Sequence, residues 1–581
     1  MNLFFTHHSL LYAMSKKSIL TFVPLAFLAI FFFYPLIVIF ARGLAPEGVI
    51  DLSAFSRIVS NEYYLQTLWF TLWQAVVSTA LTVLVALPAA YVFARFTFRG
   101  KSLLHALTTI PFVLPTVVVA ASFSALIGPR GWINELLKRI LNVTYAPIDL
   151  QNTIWVILLA HVFYNFTIVL RLVGGFWSNL DPQIENAARV LGANRWRTFF
   201  EVTLPLLKPA VLAASLLVFI FDFTSFGVIL ILGGPQFNTI ETAIYRKTQI
   251  ALDLPLATAL AIVQLACTFA LMAVYTKLQA RASVPLDLRP RRAVQRRPIT
   301  RGEKTLVLSV VFGILFVLLA PLMALAAKSL VNESGFTLSN YVNLATNPRG
   351  SVLFVPPLTA LGNSLVFALT TMLIALIVGL LAAYSSDTSL RAAERRRNLT
   401  DLLRRPNGLL AITTRLLEPI WLLPLGASAV TLGFGFLIGF PQLRSSWLML
   451  PLAHSLVAFP FVVRTITPAL RSIRSNLREA ASVMGANPWR VWREVDLPII
   501  ARALLIGGAF AFSVSMGEFG ATAMISRADT PTLPYAIFRY LSQPGSANYG
   551  QAMAMSTLLM IVVSLSLIAI ERFRFGEVGE F

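Results

Sequence analysis

The chain has 581 residues, 57% of them hydrophobic and 13% charged, with a mean hydropathy of +0.74, more apolar surface than an ordinary soluble fold buries. A formal net charge of +21 would suggest a nucleic-acid partner in a soluble protein, but in a chain this apolar it belongs to membrane-flanking loops, so no nucleic acid is expected. A single cysteine, Cys267, excludes a disulfide framework and any multi-cysteine metal site.

The first residues, MNLFFTHHSLLYA, lack signal-peptide order because the basic pair Lys16 and Lys17 follows them; Met1 and Met14 both stand as possible starts, and 1–17 is read as a tail. Apolar runs long enough to cross a bilayer as helices follow near 18–41, 65–94, 103–127, 151–174, 205–232 and 255–278. A second set lies near 304–327, 360–385, 415–438, 446–468, 498–524 and 550–571. The expected fold is an all-α integral membrane protein of about twelve transmembrane helices, its first membrane domain at 18–280 and its second at 304–581. Between them, 281–303 is rich in proline and arginine and reads as a basic cytoplasmic linker. The pairs Pro111/Pro115 and Pro419/Pro424 predict kinks in the third and ninth spans.

Charge gives the orientation. Lys16 and Lys17; Arg95, Arg99 and Lys101; Arg289, Arg291, Arg292, Arg296 and Arg297; Arg395, Arg396 and Arg397; and Arg572 and Arg574 all fall on one side if twelve spans are present. By the positive-inside rule that side is the cytoplasm, with both termini inside a multi-pass cell (plasma or inner) membrane protein.

A twenty-residue stretch occurs twice. Residues 186–205, NAARVLGANRWRTFFEVTLP, and 479–498, EAASVMGANPWRVWREVDLP, share twelve identities without a gap at an offset of 293. The same offset relates His161 to His454, Arg171 to Arg464 and Phe226-Gly227 to Phe519-Gly520. Each half holds an even number of spans, so the repeats are parallel, related by an axis along the membrane normal. Each copy predicts a short helix ended by Gly192 or Gly485, then Asn194 or Asn487 as N-cap, with Pro488 at the first helical position. A second short helix then runs through Trp196 or Trp489 to the Leu-Pro pair opening the next span. The product is a cytoplasmic helix–turn–helix with exposed Trp and Arg, residue types enriched at tight docking sites. An interfacial amphipathic anchor is the alternative.

The pattern Glu-Ala-Ala, three residues, Gly, then about a dozen residues to Leu-Pro resembles the EAA loop of permease subunits of binding-protein-dependent ABC importers. Glu479, Ala480, Ala481, Gly485, Leu497 and Pro498 match it; in the first copy Ala187, Ala188 and Gly192 match, the Glu position is Asn186, and Glu185 stands just before it. From about residue 60 onward the chain is similar to fused permeases of the iron(III)/thiamine type, with echoes in LLAHVFYN (158–165), LGGPQFNTIETAIY (232–245) and SMGEFGATAMI (515–525). The resemblance implies a type I ABC importer permease fold. It implies that each loop holds a coupling helix, that two ABC ATPase subunits and an extracytoplasmic substrate-binding protein are partners, and that iron(III) or thiamine is the cargo. ATP would bind the partner subunit, so no cofactor, metal or catalytic residue is expected on this chain, a transport subunit and not an enzyme.

The RGKS at 99–102 is not a phosphate-binding loop, since the required glycine five residues before Gly100 is Arg95. Asp222 and Glu518, acids in the spans after the two loops, are substrate-path candidates that would suit a cationic cargo; capping a bent helix or pairing with buried arginine explains them equally. His161 and His454, at one place in the repeat, suggest helix packing or a hydrogen bond across the bundle. Delivery of cargo to outer loops near 233–254 and 526–549 is expected, with the coupling loops driving alternating access. The rival is a twelve-helix secondary transporter driven by an ion gradient, with Asp222 or Glu518 as its ion site.

Overall fold

A computed structural model describes residues 20–46, 48–282, 295–332, 335–347, 352–400 and 419–574, and within them the chain is almost wholly helical. Met1, Met14, Lys16, Lys17, Arg289, Arg291 and Arg292 lie outside the described residues, as do the side chains of Arg395, Arg396, Arg397, Arg572 and Arg574. Eleven helices among them are long and apolar enough to span a membrane; the bent pair Pro419–Gly426 and Ala429–Gly439 makes a twelfth if counted as one span.

Local chemistry explains where the spans start and break. The second span, Glu62–Arg95, is capped by Asn61, whose side chain accepts from Tyr63 N at 2.9 Å. The third is broken: Ile110–Val113 ends at Leu114, which the following Pro115 holds in the extended region, and Thr116–Ile127 begins afresh. The carbonyl freed at Leu114 accepts from the Tyr164 hydroxyl at 2.7 Å, so the break leaves no orphan there. In the ninth span Pro424 sits in a 3₁₀ turn, and the two pieces meet at 93°. The kinks expected at both proline pairs are therefore present.

The fifth and eleventh spans differ from expectation at both ends. At the start, the anticipated separate second loop helix is continuous with the span, giving single helices Arg195–Phe223 and Pro488–Gly517. A π-turn links the parts: Leu204 N bonds to Phe199 O and Leu497 N to Trp492 O, each five residues back. Pro205 and Pro498 explain the wide turn, because a proline ring crowds the carbonyl four residues earlier and the extra residue makes room. At the far end the fifth span breaks after Phe223, before Gly227–Leu232, and the eleventh breaks at Glu518, before Gly520–Ile525.

The chain forms two compact units, residues 50–357 with 536–560, and 1–49 with 358–535 and 561–581. Each therefore holds most of one repeat together with the first span of the other. In the 50–357 unit the fourth span, Ile154–Trp177, is the core, 78% buried, and the second and fifth spans pack on it. The seventh span, Arg301–Ser329, packs on Thr116–Ile127 but is only 22% buried, so most of its surface is left for lipid. In the other unit the tenth span, Met449–Ser472, is 72% buried against the eleventh, and the first span, Leu20–Leu44, lies on Ala429–Gly439. Small residues permit such contacts where no hydrophobic force drives helices together: a Cβ on Gly433 would stand 2.7 Å from Ala521 Cα.

The described end of the linker is strapped down. Arg296 N donates to Arg95 O at 3.0 Å, Thr97 N donates to Arg296 O at 2.9 Å, and the Arg296 guanidinium chelates Glu303 at 2.6 and 3.0 Å. Glu303 in turn closes a capping box with Thr300 at the start of the seventh span.

Candidate functional site

The first loop helix, Pro182–Val190, is opened by Asp181 as N-cap, and the second is Ser475–Val483. Neither contains a buried residue. Gly192 and Gly485 take φ of +91° and +84°, left-handed values that end each helix. Asn194 and Asn487 then accept from Arg197 N and Arg490 N, both at 2.8 Å, starting the next helix. The turn predicted from Gly, Asn and Pro is thus formed in both copies. On its outside stand Val190, Leu191 and Trp196, and Val483, Met484 and Trp489, all 65–88% exposed. Trp196 stacks on Phe200 and Trp489 on Trp492, with Arg197–Glu201 and Arg490–Glu494 pairs beside them at equivalent places. The result is one exposed aromatic–apolar knob per repeat, on a rigid turn.

Of the loop residues singled out from sequence, Asn186, Ala187, Gly192, Glu479, Ala480 and Gly485 are exposed, and Ala188 and Ala481 are half-buried. Glu185 does something else. It points inward, where Arg95 Nη2 donates to its Oε1 at 2.7 Å and the Thr203 hydroxyl donates at 3.2 Å. It therefore does not replace the acid missing at Asn186. Its repeat partner is Arg478, also turned inward, which donates to Asp496 at 2.6 Å and Asp387 at 3.3 Å. Burial opposes the Arg478 charge, but the Asp496 and Asp387 carboxylates more than offset it and raise its pKa above the ordinary arginine value. Arg95, Thr203, Asp387, Arg478 and Asp496 were not legible as site residues. The one clue was an acid and a base, Glu185 and Arg478, at the same repeat position.

Within the membrane, Asp222 and Glu518 each join a polar cluster of their own repeat. His161 Nδ1 bonds Ser78 at 2.9 Å and Nε2 bonds Ser225 at 2.8 Å, with Asp222 Oδ1 3.6 Å from Nδ1. Asn165 donates to Asp222 Oδ1 at 2.7 Å, and Gln74 donates to the Asp222 carbonyl at 2.8 Å, where the fifth span ends. In the other repeat His454 Nδ1 bonds Ser515 at 2.9 Å, and Nε2 bonds Thr522 at 3.0 Å and lies 3.2 Å from Glu518 Oε2. Glu518 also caps Gly520–Ile525, accepting from Ala521 N and Thr522 N at 3.0 Å each. Acid and hydroxyl have exchanged places: Asp222 and Ser225 correspond to Ser515 and Glu518. Both clusters tie the broken span to its neighbours, as expected of the histidines. Glu518 is engaged through both oxygens, whereas Asp222 Oδ2 is buried without a hydrogen-bond partner among the described residues.

The outer loops near 233–254 and 526–549 are partly ordered into helices. Each carries a helix, Ile240–Gln249 or Leu533–Leu541, whose first N–H donates to a span hydroxyl: Ile240 to Thr71 at 3.0 Å and Leu533 to Ser364 at 2.7 Å. Ile240, Thr242, Ala243, Ile244 and Thr248 are buried, as is Glu241, which accepts from Gln264 at 2.8 Å. Ile250 and Leu252, just beyond the first of these helices, are exposed.

Residues 83–284 and 375–573 each match the family described as the inner membrane component of binding-protein-dependent transport systems. The chain is 28% identical over 517 residues to the thiamine transport system permease protein of Escherichia coli K12, covering 87% of this chain and 89% of that protein. It is 26% identical over 510 residues to the protein of the same description from Brucella abortus strain 2308, covering 86% of each. To a probable ABC transporter permease protein of Sinorhizobium fredii it is 25% identical over 554 residues, 91% of each. A solved bacterial ABC transporter that imports alginate aligns with 49% of this chain and 100% of its own at a TM-score of 0.39 and 19% identity.

Proposed function

Since the chain belongs to the family of inner membrane components of binding-protein-dependent transport systems, in two fused copies, we propose that it forms the whole translocation path of an ATP-driven importer and docks two separate ATPase subunits. The observation that carries this is the duplicated loop. Two turns of the same build each present to solvent a Trp, stacked on a ring three or four residues further on, and two apolar residues. A carrier driven by an ion gradient has no use for a pair of such knobs. ATP binding and hydrolysis stay on the partner, and this chain performs no bond chemistry.

The loops act as handles. Because each is one helix with its span through the π-turn, a displacement at Trp196 or Trp489 is passed directly into the membrane. Closure of the two ATPase subunits draws the handles and opens the path outward, and hydrolysis returns it inward. Cargo arrives from an extracytoplasmic binding protein at the outer loops, and both termini face the cytoplasm. The thiamine permeases among the relatives support thiamine as the cargo. Thiamine is a cation, and Asp222, whose Oδ2 has no hydrogen-bond partner among the described residues, is the buried acid that would meet it in the path.

The test is copurification from solubilised membranes, comparing the wild type with Glu479→Arg and Gly485→Val. An ATPase that comes down with the wild type and is lost from the variants is the expected result. A well-folded wild type that brings down no ATP-binding protein refutes the importer, and gradient-driven uptake with Asp222 and Glu518 replaced becomes the next experiment. Uptake of labelled thiamine into cells lacking their own thiamine importer tests the cargo separately.

A further inference from the structure

Behind each loop helix lies a three-way polar joint. In the first repeat Arg95, the last residue of the second span, reaches Glu185 on the loop helix at 2.7 Å and the Leu180 carbonyl just before that helix at 3.0 Å. Thr203, the last residue of the π-turn, donates to the same Glu185 oxygen at 3.2 Å. One carboxylate therefore holds the inner end of the second span, the loop helix and the start of the fifth span together. In the second repeat Arg478 on the loop helix reaches Asp387, one turn after Tyr384 in the eighth span helix, and Asp496, the last residue of its π-turn. The Tyr384 hydroxyl donates to the other Asp496 oxygen at 3.2 Å. The three elements are the same and the polarity is reversed: the loop helix contributes the acid in one joint and the base in the other.

These contacts are charge-assisted, and their charged side chains are at most 21% exposed, which sets them apart from surface pairs that contribute little. The π-turn matters here as well. Thr203 and Asp496, each the last residue of its π-turn, are the residues that reach the loop helix.

We propose that Arg95–Glu185–Thr203 and Asp387–Arg478–Asp496 are positioning joints that make each coupling loop and the inner ends of two spans move as one body, so that the pull on the loop reaches both spans. This rests on the importer reading above. The reversed polarity also makes each joint specific to its own repeat. A Glu at the loop position would face Asp387 and Asp496 in the second repeat, and an Arg would face Arg95 in the first.

The experiment uses the complete complex with its ATPase, in lipid. Cys267 is the only cysteine, so Cys267→Ser gives a background for two spin labels, at Gln183→Cys on the loop helix and Arg99→Cys just past the second span. The label separation is measured with and without ATP and vanadate. In the parent the distribution is expected to be narrow and the same in both states. Arg95→Gln is expected to broaden it and make it respond to nucleotide, and the exchanged pair Arg95→Glu with Glu185→Arg to narrow it again. An exchanged pair no better than Arg95→Gln overturns the joint, as does a parent separation that shifts with nucleotide. Asp387→Asn, with labels at Asn476→Cys on the second loop helix and Ser389→Cys beside the eighth span's inner end, repeats the test should Arg95→Gln fail to fold. If no ATPase accompanies the parent, the importer reading fails and this inference with it. An ATPase present with a loose joint refutes only the joint.

Discussion

Replacing Glu518 by alanine should damage this protein far more than replacing Asp222 by asparagine, although both acids are buried in the membrane at neighbouring repeat positions. Glu518 accepts from two backbone N–H groups at the start of Gly520–Ile525 and lies against His454. Removing it strands two buried donors at about 1–3 kcal/mol each, so the loss is roughly 2–6 kcal/mol. His454 keeps Thr522 at 3.0 Å and is only partly orphaned. Asp222→Asn preserves the oxygen that accepts from Asn165, and places an amide where an unpartnered carboxylate oxygen now lies. The amide brings two N–H donors at about 1–3 kcal/mol each where unmet, offset by relief of burying a carboxylate whose second oxygen has no hydrogen-bond partner among the described residues. The assay is thermal unfolding in one detergent followed by tryptophan fluorescence, for the wild type and both variants. A melting temperature for Asp222→Asn below that of Glu518→Ala would refute the reasoning.

Trp489→Ala and Trp196→Ala should each weaken ATPase association by about 2 kcal/mol, a factor of roughly 30, as truncation of a docking hot spot does, without changing the melting temperature; titration of the purified ATPase measures it. Gly485→Ala meets no atom within 4 Å of its new Cβ but must hold φ near +84°. The left-handed penalty of about 1–2 kcal/mol should lower ATPase affinity by about tenfold, with no loss of packing. Gly433→Ala puts a Cβ 2.7 Å from Ala521 Cα and should lower stability by about 1–3 kcal/mol, read as a lower melting temperature with ATPase affinity unchanged. Arg296→Ala removes a pair whose arginine is half exposed, while the two backbone bonds of the strap remain, so its effect on melting should stay below about 1 kcal/mol.

The spans, the repeat and the loop turns were legible because their causes are local. Twenty apolar residues make a span wherever they occur, and Gly192, Asn194 and Pro488 carry their conformations in their own covalent structure. The proline pairs gave the kinks for the same reason. The orientation of Glu185, one place before the missing loop acid, was not legible, because one step along a helix turns a side chain by about 100°. Only the structure shows that this step points it to Arg95, 90 residues away.

The sequence by itself determined a helical membrane protein of two repeated halves with a pair of exposed loops, because hydropathy and turn residues act over a few positions. The tertiary structure alone decided what lies behind those loops and inside the membrane: the reversed joints, and the exchange of acid and hydroxyl about His161 and His454. Each of these depends on side chains from helices tens to more than a hundred residues apart meeting in a buried place, where a polar group must find a partner and no local pattern says which.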